Sequence, residues 1–510
     1  MNRVWKIPEL VDTIAIHLDL SSLTSVARTN RLLWNVSIAL LWETITTDAL
    51  ACLIRALELE RQYSVQYSPT ALDRFAHHAQ YVRSLCIPHG IRPTVRRTLQ
   101  RILDQAGKGN LRVWFRIASI QVPEGEESNG LYPYWIDAQA ELFRACLSPS
   151  VRQVIISIGT NALRYLNYLT TLLEGIIGRC PAVDLLQAQR QFIGSGVQRL
   201  SVEFKDALLR ISAKGYLRSV RTFVMDLWAL APEVLQALAR LHQLEALHIK
   251  VVPGNILFKE NIYLRILRDL STDSFRAMSD DAFPANSFLA LRTLDVDLPS
   301  NILKRLLSVT PGIGTLRVCF PRCEGSLSLQ AISPPLRLQS LSLNFANLHY
   351  ALTENPDSLL LPFAVCKEIR YLSLDLPFVH AFWDKDLERI GVMWPCLQRL
   401  RLTGLCAPIT VSYTVRGIHS LLRRCPDLDD LDLYMPIAQE VISQMSDEIV
   451  VLRPLIIRPL GSLTDTDERT AVSSSAARLY VLCPNVRILP DRVSDWEGVM
   501  EHLQLLQLGV

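Results

Sequence analysis

The sequence lacks an excess of charge of either sign. Its 53 lysines and arginines stand against 50 aspartates and glutamates, a formal net charge of +3 over 510 residues. So small an imbalance gives no electrostatic basis for nucleic acid or for an anionic membrane surface as a partner. Long hydrophobic runs are missing as well. A stretch such as SLLLPFAVC (Ser358 to Cys366) is far shorter than the roughly 20 apolar residues that span a bilayer. Glu9, Asp12 and Asp19 interrupt the first twenty residues, so no signal peptide is expected there. The eleven cysteines, from Cys52 to Cys483, show no paired spacing. They read as free thiols filling core gaps in a reducing compartment, not as a disulfide framework. An intracellular chain, cytoplasmic or nuclear, is expected.

The motifs of catalysis are also wanting. There is no G-x-S-x-G elbow, no G-x-x-x-x-G-K-[ST] phosphate loop, no G-x-G-x-x-G and no H-E-x-x-H pair. His77 and His78 are adjacent, which on a helix turns them about 100° apart. Cys319 and Cys323 form one C-x-x-x-C without the second half that a four-ligand zinc site requires. No catalytic residue, metal or cofactor is assigned, and the chain reads as non-enzymatic.

What is present is folded sequence: 49% hydrophobic and 20% charged residues, at a length that implies two or more units. The first 46 residues are a cluster of short apolar helices. Pro8 fits a first helical turn, followed by Leu10, Val11, Ile14 and Leu18 at three- and four-residue steps. Ser21 or Ser22 is placed to cap a second helix carrying Leu23, Val26 and Ala27. A third run holds Leu32, Leu33, Trp34, Val36, Leu40, Leu41 and Trp42. Units this small rarely stabilise themselves, so part of the apolar surface must bury against the rest of the chain or a partner.

The order Ile7-Pro8-Glu9-Leu10, Ile14, Leu18, Leu23, Val26-Ala27-Arg28, Arg31, Trp34 and Leu41-Trp42 resembles the F-box motif. It departs from the common pattern at Asn30, where many members carry Cys, and at Ala15-Ile16, where Phe is common. The resemblance implies three helices docked on a Skp-type adaptor that bridges to a cullin-based (SCF-type) ubiquitin ligase. It assigns adaptor contacts to Ile7, Pro8, Leu10, Ile14, Leu18, Leu23, Val26, Trp34, Leu41 and Trp42. The alternative is a plain helical cap on a repeat protein, which would present a polar outer face.

From residue 197 onward the phrase apolar-x-x-apolar-x-apolar recurs. It starts at Val197, Val220, Leu244, Leu291, Ile313, Leu338, Ile369, Leu397 and Leu428, with a late copy at Val486. Weaker copies start at Tyr81, Leu111 and Val151. Many steps fall within the 20–29 residues of leucine-rich repeats. Helical stretches lie between copies, and several close on a proline: Cys425-Pro426, Trp394-Pro395, Cys483-Pro484. The expected fold class is therefore α/β, with an N-terminal three-helix F-box-like module followed by an irregular leucine-rich-repeat solenoid. Its parallel concave sheet would carry helices on the convex side.

The expected divisions are 1–46, a divergent helical or early-repeat region over 47–196, and repeats over 197–510 with insertions near 251–290 and 450–476. Loops 121–135 and 464–475 offer a second candidate surface. In each strand the leucines turn inward, as Leu400 and Leu402 do in LQRLRL, leaving Arg399, Arg401 and Thr403 outward. One outward row runs Ser201, Val224, His248, Asp295, Arg317, Ser342, Ser373, Arg401, Asp432. Its neighbour runs Glu203, Asp226, Lys250, Asp297, Cys319, Asn344, Asp375, Thr403, Tyr434. Tyr371, Arg401 and Tyr434 are the candidate contacts for a protein substrate of unknown identity, since Tyr and Arg dominate binding hot spots. Two functions remain open: a substrate receptor of an SCF-type ligase, or a repeat scaffold for protein interaction with an N-terminal cap.

Overall fold

A computed structural model describes residues 13–45 (except 30), 81–86 (except 83), 119–122, 151–158, 180–190 and 197–250 (except 228 and 229). It further describes 287–320 (except 299), 332–345, 359–376, 383–404, 415–434, 455–460 and 486–488, with single positions at 77, 174, 283, 329, 504 and 507. The chain divides into two units, residues 1–244 with 250–263 and residues 245–249 with 264–510.

The first unit begins with the apolar helices. Residues 13–16 are helical, followed by α1 (Leu20–Ala27) and α2 (Arg31–Glu43). The cap of α1 is Asp19 and not either serine: its Oδ1 accepts the Ser22 amide at 2.7 Å. A carboxylate there satisfies an orphan helix donor and holds Asp19 below the usual carboxylate range, mainly through that amide. Six strands follow: β1 (Thr44–Ile45), β2 (Ser84–Cys86), β3 (Ser119–Val122), β4 (Gln153–Ile158), β5 (Leu185–Arg190) and β6 (Thr222–Asp226). Each pairs in parallel with the next. The copies starting at Tyr81 and Val151 thus lead into strands. The copy starting at Leu111 lies outside the described residues, and β3 begins at Ser119.

The phrase at Val197 is a correction. Val197–Ala213 is a helix, α3, and not a strand. Its apolar positions continue past the phrase at helical steps, with Ala207, Leu208 and Ile211 buried, and no turn residue interrupts them. Ser201 and Glu203 therefore belong to a helix and not to a strand row. Gly215, at φ +71°, closes α3: the Gly215 and Tyr216 amides return to the Ser212 and Ile211 carbonyls. Then comes α4 (Pro232–Ala239), opened by proline at its first position and burying Val234, Leu235 and Leu238.

The second unit contains β7 (Ala246–Lys250), β8 (Thr293–Val296), β9 (Thr315–Cys319), β10 (Ser340–Asn344), β11 (Tyr371–Leu376), β12 (Arg399–Gly404), β13 (Asp430–Tyr434), β14 (Leu455–Leu460) and β15 (Val486–Ile488). All pair in parallel and in chain order. β14 lies within the stretch expected to be an insertion. In register with Leu431 and Leu433, that strand carries Ile457 and Pro459, so a proline disguises the phrase. The helices are α5 (Ser300–Ser308), α6 (Asp384–Met393) and α7 (Val415–Arg424), with a 3₁₀ turn at Leu361–Val365.

One turn recurs ahead of the strands. The first apolar residue of the phrase donates its amide to the carbonyl three residues back: Leu338 to Pro335, Ile369 to Cys366, Leu397 to Trp394, Leu428 to Cys425. In the first unit Val183 does the same to Cys180 and Val220 to Leu217. Two further amides share the carbonyl of the residue just ahead of the preceding strand; Arg370 and Tyr371 both donate to Gln339, and Gln398 and Arg399 both donate to Arg370. The residue opening the turn is buried, which explains the cysteines: Cys180, Cys366 and Cys425 all occupy it. The Cys366 and Cys425 thiols donate to the Pro335 and Trp394 carbonyls at 3.3 and 3.4 Å. Burial pushes the Cys366 thiol up to about 11. Cys396 departs from the expectation of core thiols, being exposed.

Candidate functional site

Alternation along the strands of the second unit separates two surfaces. Leu247, Leu294, Leu316, Leu341, Leu372, Leu400 and Leu431 share one register row and are all buried. The row beside it, Ile249, Val296, Val318, Leu343, Leu374 and Leu402, is buried too. Side chains of the intervening positions point the other way. Among the described outward positions of β7 to β13, four are exposed: Arg317, Tyr371, Arg399 and Arg401.

These four are placed by register. Arg317, Ser342, Ser373 and Arg401 stand side by side on β9, β10, β11 and β12. One step earlier, Thr315, Ser340, Tyr371 and Arg399 form the neighbouring row. The Arg399 guanidinium lies 5.9 Å from the Tyr371 ring centroid, within cation–π range. Arg399 Nε is 2.7 Å from Asp430 Oδ2, and Arg401 Nε is 4.0 Å from Asp432 Oδ2. Depth distinguishes the two signs of charge. Arg399 and Arg401 side chains are 54% and 52% exposed, whereas those of Asp430 and Asp432 are 3% and 13% exposed. The carboxylates are sunk in the sheet surface and the guanidiniums stand above them.

The remaining acids of this face are also deep. Asp295 and Asp297 are buried, and Asp295 Oδ2 is 3.4 Å from His248 Nδ1. Asp375 is half-buried; burial raises its carboxyl above the ordinary value, against the pull of Thr403 and Arg401. Small residues, Ser340, Ser342 and Ser373, form the floor between Arg317 and the Tyr371–Arg399–Arg401 group, with Thr315 beside Arg317 on β9.

Of the three residues singled out from sequence, Tyr371 and Arg401 stand on neighbouring strands. Tyr434 ends β13 in register with Leu460, and its side chain lies outside the described residues. Arg317 and Arg399 were not singled out. The signal was available in the juxtaposed phrases LQRLRL and LDDLDL, whose outward letters R-R and D-D fall in register.

The F-box-like positions divide by depth. Ile7, Pro8 and Leu10 lie outside the described residues. Leu23 is buried with Ala15, Ala27, Leu33 and Ile38, and so belongs to the small core of the helices. Leu18, Val26, Leu41 and Trp42 are partly exposed. Ile14 and Trp34 are exposed, as is Ile16.

Among the described residues no cluster of three or more His, Cys, Asp or Glu is arranged to hold a metal, and no helix is long and apolar enough to cross a membrane. Loops 121–135 and 464–475 fall almost wholly outside the described residues. No family description and no curated protein matches the chain. Among solved structures it is similar to the leucine-rich repeat-containing protein LegL7 from Legionella pneumophila, at 13% identity, covering 76% of this chain and 97% of that one, with a TM-score of 0.35.

Proposed function

We propose that the chain is a protein-interaction scaffold, which acts by holding a partner on the outward face of β9 to β12 and not by chemistry of its own. The observation that carries this is the sorting of that face: Tyr371, Arg317, Arg399 and Arg401 are the exposed residues over a floor of serines. Tyr and Arg supply area and directed hydrogen bonds at low cost in disorder, and small neighbours let a partner approach the backbone. A photo-crosslinking residue at Ser342 tests it against one at Lys385, which is exposed on α6. The reading expects a crosslinked partner protein from position 342 alone; equal capture at both positions overturns it.

A finer reading is favoured by the exposed Ile14, Ile16 and Trp34. A plain cap would turn polar residues outward, whereas an F-box-like module would leave apolar ones for an adaptor. On this reading the helices dock a Skp-type adaptor linked to a cullin, inside the cell. The strand face then holds the substrate at high effective concentration near the ligase. A purified Skp-type adaptor is expected to bind the full chain and not a variant lacking residues 1–45. Failure to bind the folded full chain removes the ubiquitin link and leaves the scaffold.

A further inference from the structure

The same face carries a preference for one kind of partner. We infer that the row Arg317–Ser342–Ser373–Arg401 receives an extended acidic protein segment, its carboxylates paired with the guanidiniums at the two ends of the row. This inference rests on the strand face being the binding surface, and it adds what binds there.

Charge depth is the first argument. Over the described outward positions of β7 to β13 every aspartate is buried or half-buried, while the exposed charges, Arg317, Arg399 and Arg401, are all positive. A partner approaching this face meets guanidiniums before carboxylates, although the opposite charges nearly balance along the strands. The submerged acids do a second job: Asp430 pairs with the Nε edge of Arg399 at 2.7 Å, while Asp432, 4.0 Å from Arg401 Nε, attracts that guanidinium without occupying its donors. Guanidinium has five donors in a fixed fork, so an arginine held along one edge keeps others for an incoming carboxylate. Less side-chain freedom is lost on binding when the fork is already oriented.

Spacing is the second argument. Arg317 and Arg401 are separated by three strand intervals, about 14 Å at the usual strand spacing. In an extended segment, residues i and i+4 lie on one side about 13 Å apart. A segment crossing the strands over Ser342 and Ser373 thus brings two acidic side chains, four residues apart, to the two arginines. Serines leave room for its backbone, and Tyr371 beside Arg399 offers a ring edge to the intervening residues.

The test is selection of random displayed heptapeptides on the folded full-length chain, repeated on two variants. Ser373→Trp obstructs the floor whatever the charge of the ligand, and Arg317→Ala/Arg401→Ala removes the charge and leaves the floor open. All three side chains are outward, so an unchanged thermal transition verifies folding. The inference expects acidic peptides, enriched for pairs four residues apart. Their binding should be lost on Ser373→Trp and weakened about tenfold or more on the double arginine variant, as for charge pairs at an interface. Peptides that need the open floor but carry no acidic bias overturn the acidic preference and leave the binding face standing. Peptides indifferent to Ser373→Trp, or no selection at all, overturn both. A single-stranded oligonucleotide that displaces the peptides and binds more tightly would assign the arginines to a nucleic acid and overturn the inference as well.

Discussion

In the second unit the deepest row of the sheet is written almost entirely in leucine, from Leu247 to Leu431. In the first unit the corresponding positions of β4, β5 and β6 are Val154, Leu186 and Phe223, and Ala188 and Met225 pair in the row beside them. Both sets are fully buried, and in both units the strands are parallel and in chain order. The difference teaches that register and alternation of faces are what the repeat requires. Leucine is one way of filling the interior, and a row of mixed sizes fills it equally when large and small residues face each other.

The largest expected effects break this comparison at its core. Leu372→Ala should destabilise by about 2–5 kcal/mol, because a leucine between two leucines leaves a cavity. Ala188→Leu should cost about 1–3 kcal/mol by overpacking against Met225. Denaturant midpoints read both. A neutral Ala188→Leu would show that the first unit is loosely filled and that the two rows are not equivalent.

Next in size is a contact between helices of the second unit. Gly391 of α6 faces Arg424, and Gly417 of α7 lies against Asp384, where a Cβ would collide with the Asp384 side chain and press on its backbone. Gly417→Ala should therefore destabilise by about 1–3 kcal/mol, in spite of alanine's higher helix propensity. A stabilised variant would mean that α6 and α7 have room to separate.

Smaller effects separate the two arginine–aspartate pairs. Arg399→Ala removes the guanidinium at 2.7 Å from a carboxylate that is 3% exposed, and should cost about 1–3 kcal/mol. Arg401→Ala, whose pair spans 4.0 Å, should cost less than about 1 kcal/mol. The smallest effect is chemical. At pH 8 a thiol reagent should modify Cys396 quickly and Cys366 only on unfolding. Because burial raises the folded thiol from 9.0 to about 11, the stability tied to Cys366 is complete below pH 9. It declines as pH rises from there to 11, since the unfolded thiol ionises first.

What the sequence made legible follows from the same physics. The phrases at Leu291, Ile313, Leu338, Ile369, Leu397 and Leu428 mark β8 to β13 because alternation and the preceding turn act together there. β5 is hidden because Ala188 stands where the phrase has a large residue, and β14 because Pro459 takes the position in register with Leu433. Val197 misled in the opposite direction. The spacing of Val197, Leu200 and Val202 suits a strand phrase, but residues 204–211 extend it at helical steps, and the longer pattern decided. Tyr371 and Arg401 could be picked from residue type; the sunken aspartates could not, since depth depends on which strand lies alongside.

The central claim, that the outward face of β9 to β12 is the binding surface, is tested most directly by hydroxyl-radical footprinting. Tyr371 on that face and Tyr216 after α3 are 43% and 40% exposed, so they start from nearly equal reactivity. Adding a peptide selected on the folded chain should protect Tyr371 and leave Tyr216 unchanged. Protection of Tyr216 with Tyr371 still reactive would contradict the account and move recognition off the strand face.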